Sequence, residues 1–170
     1  MSSIIRVNDI QDAGGNSIIS SNGSGTFSNN LGVTNTPMFL AFTTSELAVG
    51  TSLTKVIAPE VIDTDNSYDP SNGRFTVPSG KAGKYYFSFQ GMHRSTANDQ
   101  TGSGFAFYKN GSIQAEFGSS QFTGHRNDAR MYNYIFDLSV GDYIESYAYV
   151  TGSATTSIEK PVFLGYKLIT

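Results

Sequence analysis

After residue 37, apolar side chains recur at every second position over most of the chain. In Gly83–Met92, Tyr85, Phe87 and Phe89 fall on one side and Lys84, Tyr86, Ser88 and Gln90 on the other, the period of a β-strand. Phe105 with Phe107, and Tyr132, Tyr134, Phe136 and Leu138, repeat it. The pattern predicts strands near Met38–Phe42, Thr54–Ile57, Arg74–Val77, Gly83–Met92, Gly104–Tyr108, Ile113–Phe117, Ala129–Leu138, Tyr143–Val150 and Pro161–Leu168, with no helix longer than a turn or two. Many short strands separated by turn residues predict an all-β sandwich or jelly roll. Tyr143–Val150 is apolar on both faces: Tyr143, Tyr147 and Tyr149 on one, Ile144, Ala148 and Val150 on the other. Such a strand is either central in the fold or sits at a subunit contact.

Residues 1–37 read differently. Short apolar pairs, Ile4-Ile5 and Ile18-Ile19, stand between polar turns such as Asp12–Asn16 and Ser21–Gly25. The apolar residues of this arm, Ile4, Ile5, Val7, Ile10, Ile18, Ile19, Phe27, Leu31 and Val33, are too few to offset the entropy of ordering it alone. The expectation is a β-rich arm held by other chains, with packing onto its own head as the alternative. Asn35-Thr36-Pro37 marks the boundary between an arm, 1–37, and a head, 38–170.

Within 38–170, the turn logic is explicit at Tyr68–Phe89. Pro70 fixes φ, Gly73 can take φ > 0, Phe75 and Val77 point inward, and Pro78 stops the strand by removing a donor. Composition agrees with a turn-rich β fold: 18 Gly, 22 Phe plus Tyr, and only 15 % charged residues. A net charge of −3 supplies no field for nucleic acid or anionic lipid. With no cysteine, disulfides, thiolate metal sites and thiol nucleophiles are excluded. The N-terminus has no cationic stretch leading into an apolar run, so no secretory signal is expected, and no window is long enough for a transmembrane helix.

Candidate chemistry is sparse. His93 and His125, the two histidines, have no second ligand at metal-binding spacing, and no Gly-x-Ser-x-Gly elbow occurs. Asp63-Thr64-Asp65-Asn66 places oxygen donors close together but lacks the glycine and distal glutamate of an EF-hand loop. Asn22-Gly23-Ser24 and Asn110-Gly111-Ser112 match glycosylation sequons and equally match Asn-Gly turns. An enzyme is not expected, nor is any required cofactor.

Six segments, in order, resemble the C1q/TNF-like head family. They are Phe39–Phe42; Tyr68-Asp69-Pro70 with Gly73-Arg74-Phe75; Gly83–Phe87; Lys109-Asn110-Gly111; Phe136-Asp137-Leu138 with Gly141–Ile144; and Phe163–Leu168. The resemblance spans about residues 38–170 and implies a jelly-roll sandwich that assembles as a homotrimer. On that pattern Met131, Tyr143, Tyr147, Tyr149 and Phe163 would meet near the threefold axis, burial between the sheets of one subunit being the alternative. Some members bind calcium in loops, which makes Asp63, Asp65 and Asp99 the candidate ligands. There is no Gly-x-y repeat, so a collagen stalk is not expected.

The stretch IIRVNDIQDAGGNSI is similar to the starts of phage virion proteins. That second resemblance, over about residues 3–27, implies a surface-displayed trimer anchored to the virion by Ile4, Ile5, Val7, Ile10, Ile18, Ile19 and Phe27. Its partner would be the major capsid protein or another virion protein. Capsid decoration, as a cement protein, is the expected role. The alternatives are a tail or head fibre tip binding a host glycan or protein through the polar loops Ser95–Ser103 and Ser119–Asn127, or a bacterial surface adhesin.

Overall fold

The computed structural model describes residues 8–21, 23–24, 27–29, 35–119, 127–153 and 155–168. Ile4, Ile5, Val7, Leu31, Val33, His125 and most of the loop 119–127 lie outside the described residues. The chain divides into two compact units, Met1–Thr34 and Asn35–Thr170. No helix occurs among the described residues.

The first unit is a three-stranded antiparallel meander: β1 (Asp9–Gln11), β2 (Ser17–Ser21) and β3 (Phe27–Asn29), with β2 in the middle. Asp12 closes the β1–β2 turn by accepting from the backbone N–H groups of Gly14 (2.8 Å) and Asn16 (2.9 Å). Ile10 pairs with Ile19 across the strands, yet Ile10 stays 46 % exposed. None of the described side chains in this unit is buried. A sheet this small has little stability of its own.

The second unit is a sandwich. Its strands are β4 (Met38–Phe42), β5 (Leu47–Ala48), β6 (Thr54–Lys55), β7 (Glu60–Asp63), β8 (Tyr68–Asp69), β9 (Arg74–Thr76), β10 (Gly83–Ser95), β11 (Gly102–Lys109), β12 (Ser112–Ser119), β13 (Asn127–Leu138), β14 (Tyr143–Thr151) and β15 (Thr156–Lys167). Sheet I runs β13-β10-β15-β4-β7, with β5 also on β15. Sheet II runs β12-β11-β14-β9-β8, with β6 also on β14. All pairings are antiparallel.

The core follows from the alternation. Sheet I contributes Phe39, Tyr85, Phe87, Phe89, Phe136 and Phe163, and sheet II contributes Phe75, Phe105, Phe107, Ile144 and Val150, all buried. Rings lock the sheets together: Phe89 meets Phe105 at 4.3 Å and Phe75 meets Phe87 edge-on at 5.3 Å. Gly165 lies flat beneath this cluster. A Cβ there would stand 2.6 Å from Phe87 Cδ1 and 2.9 Å from Phe39 Cε1, so only glycine lets β15 approach. Gly73 turns the chain with φ +67° and lets Phe75 enter the core.

Candidate interaction surfaces

A two-sheet sandwich has two outer faces, and here they differ in chemistry. On sheet I the residues that alternate with the core form cross-strand rows. Leu164 pairs with Leu40 and with Ser88, Val162 with Phe42, Gln90 with Met131, and Tyr86 with Ile135 and Tyr166. Met38 is 36 % exposed, Ile62 42 %, Met131 56 % and Ile135 55 %, while Leu40, Phe42, Val162, Leu164 and the touching, mutually tilted rings of Tyr86 and Tyr166 are half-buried. Asn133, opposite Ser88, and Gln90 interrupt the face, and the Lys84–Asp137 ion pair bounds it at one end. A largely apolar face of this kind on a folded protein marks an interaction surface.

The outer face of sheet II is aromatic and charged. Glu145, only 2 % exposed, accepts from Lys55 Nζ (2.7 Å) and from Arg74 Nε (2.9 Å) and Nη2 (2.8 Å). Burial pushes its carboxyl up, but the Lys55 and Arg74 hydrogen bonds outweigh that and hold it below the ordinary glutamate range. The Arg74 guanidinium lies 3.8 Å over the Tyr143 ring. Tyr147 stacks on Tyr108 at 4.0 Å, and burial, reinforced by Glu145, pushes its hydroxyl up to about 12.

The sequence-based site residues separate accordingly. Met131 lies on the apolar face of sheet I. Tyr143, Tyr147 and Tyr149 are half-buried on the opposite sheet, against Arg74, Lys55 and Tyr108 of their own chain, so they do not share a face with Met131. Phe163, expected at a subunit contact, is instead enclosed in the chain's own core at 1 % exposure. Alternation along β15 turns it inward, between Val162 and Leu164 on the outer face. In the first unit Ile10 is exposed and Ile18 and Ile19 half-buried, and Phe27 contributes backbone to β3.

The candidate calcium ligands close turns. Asp63 accepts from Tyr68 N (2.7 Å), Ser67 Oγ (3.0 Å) and Asp65 N (3.2 Å). Asp65 accepts from Thr64 Oγ1 (2.8 Å) and pairs with Lys81 at 3.5 Å. Asp99 accepts from Ser95 and Ser153, and the Ser153 hydroxyl, followed by that of Ser95, brings its carboxyl down to about 2. Among the described residues no group of three or more His, Asp or Glu converges. His93 is fully buried, with Nε2 3.2 Å from the Gly104 carbonyl and Nδ1 3.3 Å from that of Asp128.

Neither the apolar face of sheet I nor the Lys55–Arg74–Glu145 cluster was anticipated from the sequence. The first had a signal. Met38–Phe42 and Pro161–Leu168 are apolar on both faces, the same property noted for Tyr143–Val150. The second had none, because its three members are brought together only by the β6–β14–β9 pairing.

No protein-family model matches the sequence, and no curated protein sequence does. Solved structures do resemble the fold. The globular domain of zebrafish complement 1qA protein superposes with a TM-score of 0.57 at 14 % identity, over 78 % of this chain and 97 % of that one. Murine APRIL at pH 8.0 superposes with a TM-score of 0.53, also at 14 % identity, over 77 % and 99 %. At such identity the likeness establishes the architecture: an all-β, C1q/TNF-like jelly roll.

Proposed function

We propose that this chain is a non-enzymatic, surface-displayed phage virion protein that works as a homotrimer, its head outward and its N-terminal unit bound to the particle. Capsid decoration is the role that fits best. The observation that carries the assembly is the apolar outer face of sheet I, where Met131 and Ile135 are each more than half exposed. Three copies related by a closed rotation would cover that face with one repeated contact. Covering it removes apolar area from water, at roughly 25 cal/mol per Å². The fold is one built on such a sandwich, which supports the same reading.

The N-terminal unit supplies the complementary part. Its meander has no buried core among the described residues, and β1 and β3 are its edge strands. Strand addition to the major capsid protein or another virion protein would satisfy both needs. No role for nucleic acid or membrane insertion enters this reading.

The test is a rebinding experiment with full-length protein and a form lacking residues 1–37, added to particles stripped of the protein. Rebinding by the full-length form alone is the expected result. Equal rebinding by both forms would contradict anchoring through the N-terminal unit, and rebinding by neither would contradict a virion role.

A further inference from the structure

The core of the head changes character along its length. Rings such as Phe39, Phe75 and Phe87 pack one end. The other end, where β10 leads into β11, buries His93, Ser95, Gln100, Ser103 and Thr156. Four of these five have partners. His93 faces two carbonyls, and Ser95 donates to Asp99. The Ser103 hydroxyl donates to Asp128 at 2.7 Å, and that of Thr156 to Val49 O at 2.6 Å. Gln100 differs: it is fully buried, and neither its Nε2 nor its Oε1 meets a hydrogen-bonding group of the protein. A side-chain amide can donate two hydrogen bonds and accept two, and burying it with none made is costly. We propose that the segment Thr96–Thr101 is a two-state latch, held shut over Gln100 by Asp99 and driven toward opening by the amide it buries.

The shut state is built by a few contacts. Ser95 ends β10 and Gly102 begins β11, so the segment is the whole connection between them. Thr96, Ala97 and Asn98 are exposed, Asp99 is half-buried and Gln100 turns inward. Asn98 takes φ +57°, in the left-handed region, as the chain reverses. The Asp99 carboxylate does the holding. It accepts from Ser95 Oγ at the end of β10 and from Ser153 N and Oγ beyond β14. Gly152 leaves room for this: a Cβ there would stand 2.9 Å from Asp99 Oδ1 and 3.0 Å from Ser95 Oγ. Thr96 N also donates to Thr155 O at 3.1 Å, tying the segment to the same neighbour.

The two sides of the balance respond differently to water. Ser153 is exposed and Asp99 reaches the surface, so on opening water takes over their bonds at small net cost. Gln100, by contrast, gains every bond it lacks. The shut and open states are therefore close in free energy, and the segment is among the least protected of the head. The ring-packed end has no such release, because its side chains lose burial if they move. Opening carries Gln100 to the surface with its donor and acceptor free. A partner that bonds the amide draws the population to the open form.

The test is hydrogen–deuterium exchange of the full-length protein at pH 7. It is read at the amides of Thr96 and Ser153, which the latch protects, against those of Tyr85–Phe89 in β10. In the parent the two should exchange at least tenfold faster than the strand amides. Gln100→Met removes the buried donor and acceptor at similar volume. It should slow the two amides about tenfold without lowering the melting temperature. Asp99→Ala should speed them about tenfold and leave β10 unchanged. Gln100→Glu, whose carboxylate reaches water only when the latch opens, should remain folded and exchange faster than the parent. The proposal is overturned if the two amides of the parent exchange as slowly as those of β10, or if Asp99→Ala leaves them unchanged. It is equally overturned if Gln100→Met is less stable than the parent or exchanges no more slowly, since the amide would then be satisfied in the shut state. Folded Gln100→Glu that exchanges no faster than the parent overturns it as well.

Discussion

Acid should destabilise this protein in a pH window set by one buried histidine. His93 lies on β10 with its ring 4.4 Å from Phe105 and no exposed surface. Both nitrogens face carbonyls, of Gly104 and Asp128, so protonation would gain a second donor. Burial nevertheless dominates, and it pushes the pKa from 6.5 down to about 4. The carbonyl contacts and the Asp128 charge pull the other way, while Arg130 adds to the lowering. The sign follows from proton uptake. Above pH 6.5 the imidazole is neutral folded and unfolded, and the stabilisation is fully present. Between 6.5 and about 4 the unfolded chain takes up the proton and the folded one does not, so stability falls by up to roughly 1.4 kcal/mol per pH unit. Over that interval the loss totals about 3 kcal/mol, a large part of a typical folding free energy. Urea unfolding of the parent and of His93→Gln at pH 7.5, 6.5, 5.5 and 4.5, at one fixed protein concentration, isolates the effect, because His125 is common to both. The parent should lose stability relative to the variant across the window. A difference that stays flat from pH 7.5 to 4.5 would refute the assignment of a buried, neutral His93.

A separate acid limb should appear below pH 4. Asn110, followed by Lys109, holds the Asp142 carboxyl at about 2, so the stability it contributes is present above its unfolded value of 3.8 and is lost as pH falls through about 2. In unfolding curves taken between pH 4 and 2, Asp142→Asn should give a shallower fall than the parent. Gly165→Ala drives a methyl group into Phe87 and Phe39 and should cost about 3 kcal/mol in urea unfolding; an unchanged midpoint would mean that the rings can move aside. Glu145→Ala leaves Lys55 and Arg74 without their shared carboxylate. Their partial exposure limits the loss to about 2 kcal/mol, and Glu145→Gln should lose less, both read from thermal melts.

Period-two patterning made most of the head legible. Tyr85, Phe87, Phe89, Phe105, Phe107, Phe75 and Val77 are all buried, as their alternation requires. The strand β7, Glu60–Asp63, was not anticipated, because a short edge strand with Val61 and Ile62 exposed and Asp63 folded into a turn carries almost no pattern. β5 and β8, two residues each, are set by pairing rather than by sequence period. The surfaces were less legible than the core. Alternation says which residues share a face but not which face of a strand turns inward when both are apolar. For Phe163 that ambiguity was decided by packing on Phe39, at 4.9 Å, and it placed Val162 and Leu164 outside. The Glu145 cluster depends on residues about 70 and 90 positions away, and its members look individually like ordinary surface charges.

The central claim is that the outer face of sheet I is the contact between subunits. The most direct measurement is the light-scattering mass of the full-length protein and of Ile135→Glu, a change at a position 55 % exposed that the fold itself should tolerate. Three chains of 18.3 kDa give about 55 kDa for the parent, and Ile135→Glu should run as a folded single chain. A parent protein at the mass of one chain, or an Ile135→Glu protein that remains a trimer, would contradict the account.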